Sequence, residues 1–150
     1  MDHKLKLMVV DDSPLFRTWL IRSLSADDRF QIVGYAVNAL DAQEKIPLLQ
    51  PDMLTLDIEM PGMSGIEFLK QLLPVHPIPV ILVSSLNLRV FDALEAGAVD
   101  FVRKPDEANG LSKEIFLSML RSKLLVAAAS HVHLPSVPAS PQTAKKRIVS

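Results

Sequence analysis

Five short apolar runs punctuate the chain: Leu5–Val10, Phe30–Ala36, Asp52–Leu56, Pro79–Val83 and Val99–Val102. They are rich in Val, Ile and Leu and show almost no polar alternation. A strand with one wet face alternates apolar and polar residues, whereas a strand covered on both faces does not. These runs therefore read as strands of a parallel sheet with helices on both sides. The segments between them repeat apolar residues at helical spacing: Phe16, Leu20 and Leu24; Ala42, Ile46 and Leu49; Ile66, Leu69 and Leu73; Leu88, Phe91 and Leu94; and Phe116, Leu120 and Leu124 in the last and longest. Ser13-Pro14 has the chemistry of an N-cap followed by proline at the first helical position. Five strand–helix units in strict alternation predict a doubly wound α/β fold with right-handed crossovers.

A chain of 150 residues, 49% apolar and 22% charged, is long enough for one such domain with a tail, and its composition excludes wholesale disorder. The charges nearly cancel, with 16 basic and 17 acidic residues, so no overall field favours nucleic acid or an anionic membrane. The absence of cysteine excludes disulfide scaffolds, thiolate zinc sites and cysteine nucleophiles. No apolar run approaches the ~20 residues that span a bilayer, and the first is too short for a signal peptide. The expectation is a cytoplasmic chain with no direct membrane insertion.

Composition changes after about Ala127. The domain is expected over residues 4–127 and a proline- and serine-containing linker over 128–145. Residues 146–150 carry a fresh apolar start, Ile148-Val149, just after Lys145-Lys146-Arg147. This end reads either as a frayed tail or as the first strand of a second domain.

In an open parallel sheet, ligands bind beyond the carboxyl ends of the strands, near the point where strand order reverses. The first run ends in Asp11-Asp12, the third in Asp57, the fourth in Ser84-Ser85, and the fifth leads to Lys104-Pro105. Parallel strands would gather three carboxylates, a hydroxyl and an ammonium on one rim. Clustered carboxylates repel unless a cation lies among them, and hard oxygen ligands favour magnesium. A carboxylate kept ionised beside a divalent cation and a lysine can attack phosphorus and form an acyl phosphate. The metal and the lysine would neutralise the transferring phosphoryl group.

Other chemistries fit less well. No glycine-rich run precedes a Lys-Ser/Thr pair, and no G-x-G-x-x-G is present, which excludes a P-loop and a dinucleotide fingerprint. A haloacid-dehalogenase-type phosphatase would want a second Asp two residues after its nucleophile, and Glu59 stands there. His131-x-His133 lacks carboxylate neighbours and reads as solvated rather than metal-binding. Lys145-Lys146-Arg147 is too short for nucleic acid.

Val9-Val10-Asp11-Asp12-Ser13, Leu56-Asp57-Ile58-Glu59-Met60-Pro61-Gly62-Met63-Ser64-Gly65 and Lys104-Pro105 resemble a response-regulator receiver domain over about residues 4–127. The resemblance implies a flavodoxin-like five-stranded sheet in the order 2-1-3-4-5. It makes Asp57 the phosphoacceptor, Asp12 a direct magnesium ligand, Asp11 a ligand through water and the backbone carbonyl of Glu59 the third protein ligand. It makes Ser84 the hydroxyl that turns toward the phosphoryl group, Phe101 the aromatic switch and Lys104 the phosphoryl-contacting lysine, with a cis bond to Pro105. Ile58-Glu59-Met60-Pro61, Val83-Ser84-Ser85-Leu86 and Gly97–Pro105 look most like the receiver of chemotaxis protein-glutamate methylesterases. In that family a linker leads to a catalytic domain whose first strand resembles Lys146–Ser150, ahead of its nucleophilic serine. Between Ser85 and Ala93 this chain is several residues shorter than those methylesterases.

The resemblance thus implies phosphorylation of Asp57 by a chemotaxis-type histidine kinase, which would relieve the block that the receiver imposes on its own C-terminal methylesterase domain. Two alternatives stand beside it: a single-domain receiver acting as a phosphate sink or by partner binding, and a stand-alone aspartyl phosphatase. The chain itself is expected to be a phosphoryl acceptor and not an enzyme.

Overall fold

The computed structural model describes residues 4–85, 89–106, 108 and 110–132, with only the backbone of the last two. Five parallel strands, β1 (Leu5–Val10), β2 (Phe30–Ala36), β3 (Met53–Leu56), β4 (Val80–Ser84) and β5 (Asp100–Arg103), form one sheet in the order β2-β1-β3-β4-β5. Five helices alternate with them: α1 (Pro14–Ser25), α2 (Ala39–Leu49), α3 (Gly65–Leu72), α4 (Arg89–Glu95) and α5 (Lys113–Val132). The doubly wound fold and the strand order are those expected.

Successive strand residues face opposite sides, and here both sides are dry. Met8, Val10, Leu54, Leu56, Val80 and Leu82 pack on Ala42, Ile46, Phe68, Leu69, Val90 and Ala93 of α2, α3 and α4. Leu7, Val9, Met53, Ile81, Val83 and Val102 pack on Leu20, Leu24, Phe116, Leu120 and Leu124 of α1 and α5. Each fully buried Leu or Phe contributes about 1.5–3 kcal/mol. This is why the runs lack alternation. α1 begins as read: Ser13 accepts from the Phe16 N–H at 3.4 Å, with Pro14 at the first helical position.

Two expectations change. Of the expected α4 stripe, Leu94 packs partly buried against the core, but Phe91 does not. Val90 and Ala93 face the core, while Phe91 is 65% exposed; Leu88 lies outside the described residues. Val90, Ala93 and Leu94 share the inner face of the helix, and Phe91 falls on its outer face. The expected boundary at 127 also moves. α5 continues unbroken to Val132, and Ala127 and Ala128 are both buried in the core, so the first residues of the expected linker are helix. Residues 133–150, with His133 and the basic triplet, lie outside the described residues, as do Leu86–Leu88 of the shortened loop. No helix among the described residues is long and apolar enough to cross a membrane.

Candidate active site

β1 leads to its neighbour β2 on one side of the sheet, and the chain then crosses to β3 on the other. The carboxyl ends of β1 and β3 therefore flank the switch point, where a crevice opens. Asp11 and Asp12 follow β1 and Asp57 follows β3; the Asp57 N–H donates to the Val10 carbonyl at 3.0 Å, which ties the two strand ends together. One carboxylate oxygen from each of the three aspartates lies within 4.8 Å of the other two. Asp11 and Asp57 are buried, and Asp12 is exposed at the mouth.

Each group is held. The Asp11 carboxylate accepts the Ser13 N–H at 2.8 Å, and the Arg17 guanidinium donates to the Asp11 carbonyl at 2.8 Å. Asp57 Oδ1 accepts the Glu59 N–H and the Ser84 hydroxyl, both at 3.1 Å. The Lys104 ammonium reaches in from β5, 3.0 Å from Asp11 Oδ2 and 3.4 Å from Asp57 Oδ2. Its backbone N–H donates to the Ser84 carbonyl at 3.0 Å, which extends the β4–β5 ladder by one bond.

Burial pushes the Asp57 carboxyl above the usual carboxylate range; Lys104 opposes this, Asp11 adds to it, and the net direction is upward. Burial alone would pull the Lys104 pKa down, but Asp11 and Asp57 more than reverse that, so the ammonium stays charged. One cation thus serves two buried carboxylates with a third beside them, an arrangement short of positive charge. The donor set is entirely hard oxygen, and the residues fit a small divalent cation such as magnesium.

The structure brings together Asp11, Asp12, Asp57, Ser84 and Lys104. Glu59 joins through its backbone N–H. Phe101 lies opposite Leu82 on β5, half-buried against the α2–α4 side of the sheet, three residues before the lysine. The cis bond implied for Lys104-Pro105 is a correction: every described peptide bond is trans. A trans bond already delivers the ammonium to both carboxylates, and trans is the lower-energy isomer for X–Pro.

Three participants escaped the sequence reading. Arg17 sits on α1 as an ordinary surface cation would. Phe16 belongs to the core stripe of α1, yet its ring lies 4.5 Å from the Lys104 ammonium. Gly65 approaches the turn after β3 so closely that a Cβ there would lie 2.8 Å from Ile58 Cα and 3.1 Å from the Asp57 carbonyl oxygen. Its place in the run ending Met63-Ser64-Gly65 was the available signal.

The sequence matches the response regulator receiver domain family over residues 7–116. It is 46% identical over 130 residues to a protein named protein-glutamate methylesterase/protein-glutamine glutaminase 2 from Syntrophomonas wolfei, covering 87% of this chain and 38% of that protein. A protein-glutamate methylesterase/protein-glutamine glutaminase from Syntrophotalea carbinolica is 43% identical over 161 aligned positions, covering 100% of this chain and 45% of that protein. The chain thus spans less than half the length of these curated relatives. The crystal structure of the response regulator domain of Thermotoga maritima CheB superposes with a TM-score of 0.74 at 36% identity, covering 85% of this chain and 98% of that one.

Proposed function

This chain belongs to the response regulator receiver domains and is similar to that of a CheB, and from that premise we propose that it accepts a phosphoryl group on Asp57 from a chemotaxis-type histidine kinase. The observation that carries the reading is the set of groups around one buried carboxylate: Asp57 has the Ser84 hydroxyl on Oδ1 and the Lys104 ammonium near Oδ2, with Asp11 and Asp12 beside it. An Asp57 oxygen would form the O–P bond as the P–N bond to the donor histidine breaks, the electron pair leaving with the imidazole. Lys104 neutralises the developing phosphoryl charge, and Ser84 supplies a hydroxyl donor once its bond to the carboxylate is released. Asp12, Asp57, the Glu59 carbonyl and, through water, Asp11 would hold magnesium, which when bound supplies the second positive charge on the phosphoryl oxygens.

In the parent protein this domain would regulate a C-terminal methylesterase domain. The length of the relatives and their names support that extension. The same reading places the protein in the cytoplasm and makes Phe101 the side chain that carries the phosphorylation state to the β4–β5 end of the sheet.

The test is direct. Acetyl phosphate with magnesium should label the wild-type chain with an acid-labile phosphoryl group and leave Asp57→Asn unlabelled. Equal labelling of both would reject Asp57 as the acceptor.

A further inference from the structure

We infer that Phe16 is a positioning residue for Lys104, its ring holding the ammonium over the acceptor without competing for its hydrogen bonds. The inference deepens the proposed phosphoryl transfer and rests on that reading. Lys104 is the only cation within 4.0 Å of the Asp11 or Asp57 carboxylate among the described residues. Its work requires it to leave the carboxylates and follow the phosphoryl oxygens. A lysine side chain has four flexible torsions and would scatter unless something other than those carboxylates holds it. A hydrogen-bond acceptor in that place would tie up an N–H. The face of an aromatic ring attracts the charge and leaves all three donors free.

The ring is itself fixed. Phe16 lies in the first turn of α1, whose cap is set by Ser13 and whose entry turn is tied to the Asp11 carboxylate. Its centroid is 5.7 Å from that of Trp19, one turn on, and 5.9 Å from that of Phe116, which meets it edge-on. Phe116 is fully buried at the start of α5, and Trp19 contacts it as well. The ring under the lysine is therefore anchored to the core between α1 and α5, and the ammonium 4.5 Å from its centroid also stands 3.0 Å from Asp11. The same helix start thus presents both a carboxylate and a ring to one lysine.

A double-mutant cycle separates this role from simple packing. Labelling rates with acetyl phosphate and magnesium are measured, over hours where slow, for wild type, Phe16→Leu, Lys104→Ala and the double variant. Phe16→Leu keeps apolar volume and loses the ring. It should slow labelling about three- to tenfold when Lys104 is present, the scale of a partly desolvated cation–π contact, and leave the Lys104→Ala rate unchanged. Phe16→Tyr should restore the wild-type rate. The same slowing in both backgrounds, or none, overturns the inference. A second arm needs no phosphoryl chemistry: 13C relaxation of the Lys104 ε-carbon in unphosphorylated protein should show lower order in Phe16→Leu and wild-type order in Phe16→Tyr. Unchanged order in Phe16→Leu overturns the positioning role. An unlabelled wild type would instead reject the proposed function and leave this arm to judge Phe16.

Discussion

The Ser84 hydroxyl donates to Asp57 Oδ1 across 3.1 Å, and both residues are buried. In the unphosphorylated protein Ser84 is thus already committed to the acceptor, and it can serve a phosphoryl oxygen only by moving. Ser84→Ala should leave Asp57 able to accept phosphate but weaken the response of Phe101, which lies on the adjacent strand. Burial of that ring is worth roughly 1.5–3 kcal/mol, enough to shift a two-state equilibrium about tenfold or more. NMR of the Phe101 ring with and without beryllofluoride checks this. Equal shifts in wild type and Ser84→Ala would show that Ser84 does not carry the coupling.

Asp12 is the exposed member of the carboxylate cluster. A cation that binds only the folded site stabilises by RT ln(1 + [Mg]/Kd), about 1–3 kcal/mol at some tens of times Kd. Asp12→Asn should remove most of that gain and, by relieving the repulsion among the three carboxylates, should not lower the metal-free midpoint. Thermal melts with and without magnesium give the answer, and a wild-type midpoint indifferent to magnesium would count against the site.

The sheet was legible because its central strands β1, β3 and β4 are buried on both faces, and the rim because its polar residues fall directly after apolar runs: Asp11 after Val10, Asp57 after Leu56, Ser84 after Val83. What failed depends on distances that no one-dimensional pattern contains. Phe91 and Val90 are both apolar and adjacent, and only the way α4 is turned toward the sheet decides which of them is buried. Phe16 satisfies the α1 stripe whether or not a lysine lies over its ring. Gly65 is required by a backbone seven residues earlier in sequence, at Ile58. The end of α5 was misplaced because Ala127 to Ala129 give no stripe to follow, although helix propensity alone favours continuation there.

Asp57 carries a pH signature. Burial raises its folded-state pKa above the unfolded value, so the stability this group contributes is full below the unfolded carboxylate range and is lost as pH rises through the folded value. Without a metal, Asp57→Asn should therefore melt higher than wild type at neutral pH, and the difference should shrink as pH falls below the carboxylate range. Urea midpoints in chelator-treated buffer at neutral and acid pH measure it. A variant less stable than wild type at neutral pH would mean that Lys104 outweighs the burial cost.

Asp27 has the opposite sign and lies far from the rim. Arg29 grips its carboxylate with a side-chain contact of 2.6 Å and adds its own N–H, Arg121 stands at 3.5 Å, and the Asp27 pKa falls from 3.8 to about 2. A lowered folded value gives stability that is present above the unfolded pKa and lost as pH falls toward 2. With solvent screening on the Arg29 side, the contribution is about 1 kcal/mol. Asp27→Asn should lose that amount at pH 7 and approach wild type as pH falls through about 2, as read by chemical denaturation across the range.

Gly65 offers the sharpest structural test of how the acceptor is held. It opens α3 after the Ser64 cap, and its N–H donates to the Ile58 carbonyl at 2.9 Å, closing the loop that follows Asp57. A methyl group at position 65 would meet Ile58 Cα at 2.8 Å and the Asp57 and Ile58 carbonyl oxygens at 3.1 Å. All three are backbone atoms, so no side chain can rotate away. The loop must shift instead, taking with it the Glu59 N–H that holds Asp57 Oδ1. Gly65→Ala should cost about 1–3 kcal/mol, the range for overpacking a site that cannot relax, although alanine is the better helix former. It should also slow labelling of Asp57 by acetyl phosphate. Gly62→Ala is the control, because its Cβ would meet nothing within 4 Å and its cost comes from a φ of +82° alone. Similar destabilisation in both with slower labelling only in Gly65→Ala would tie the defect to the position of the acceptor. Unimpaired labelling in Gly65→Ala would show that the turn after β3 tolerates displacement without moving Asp57.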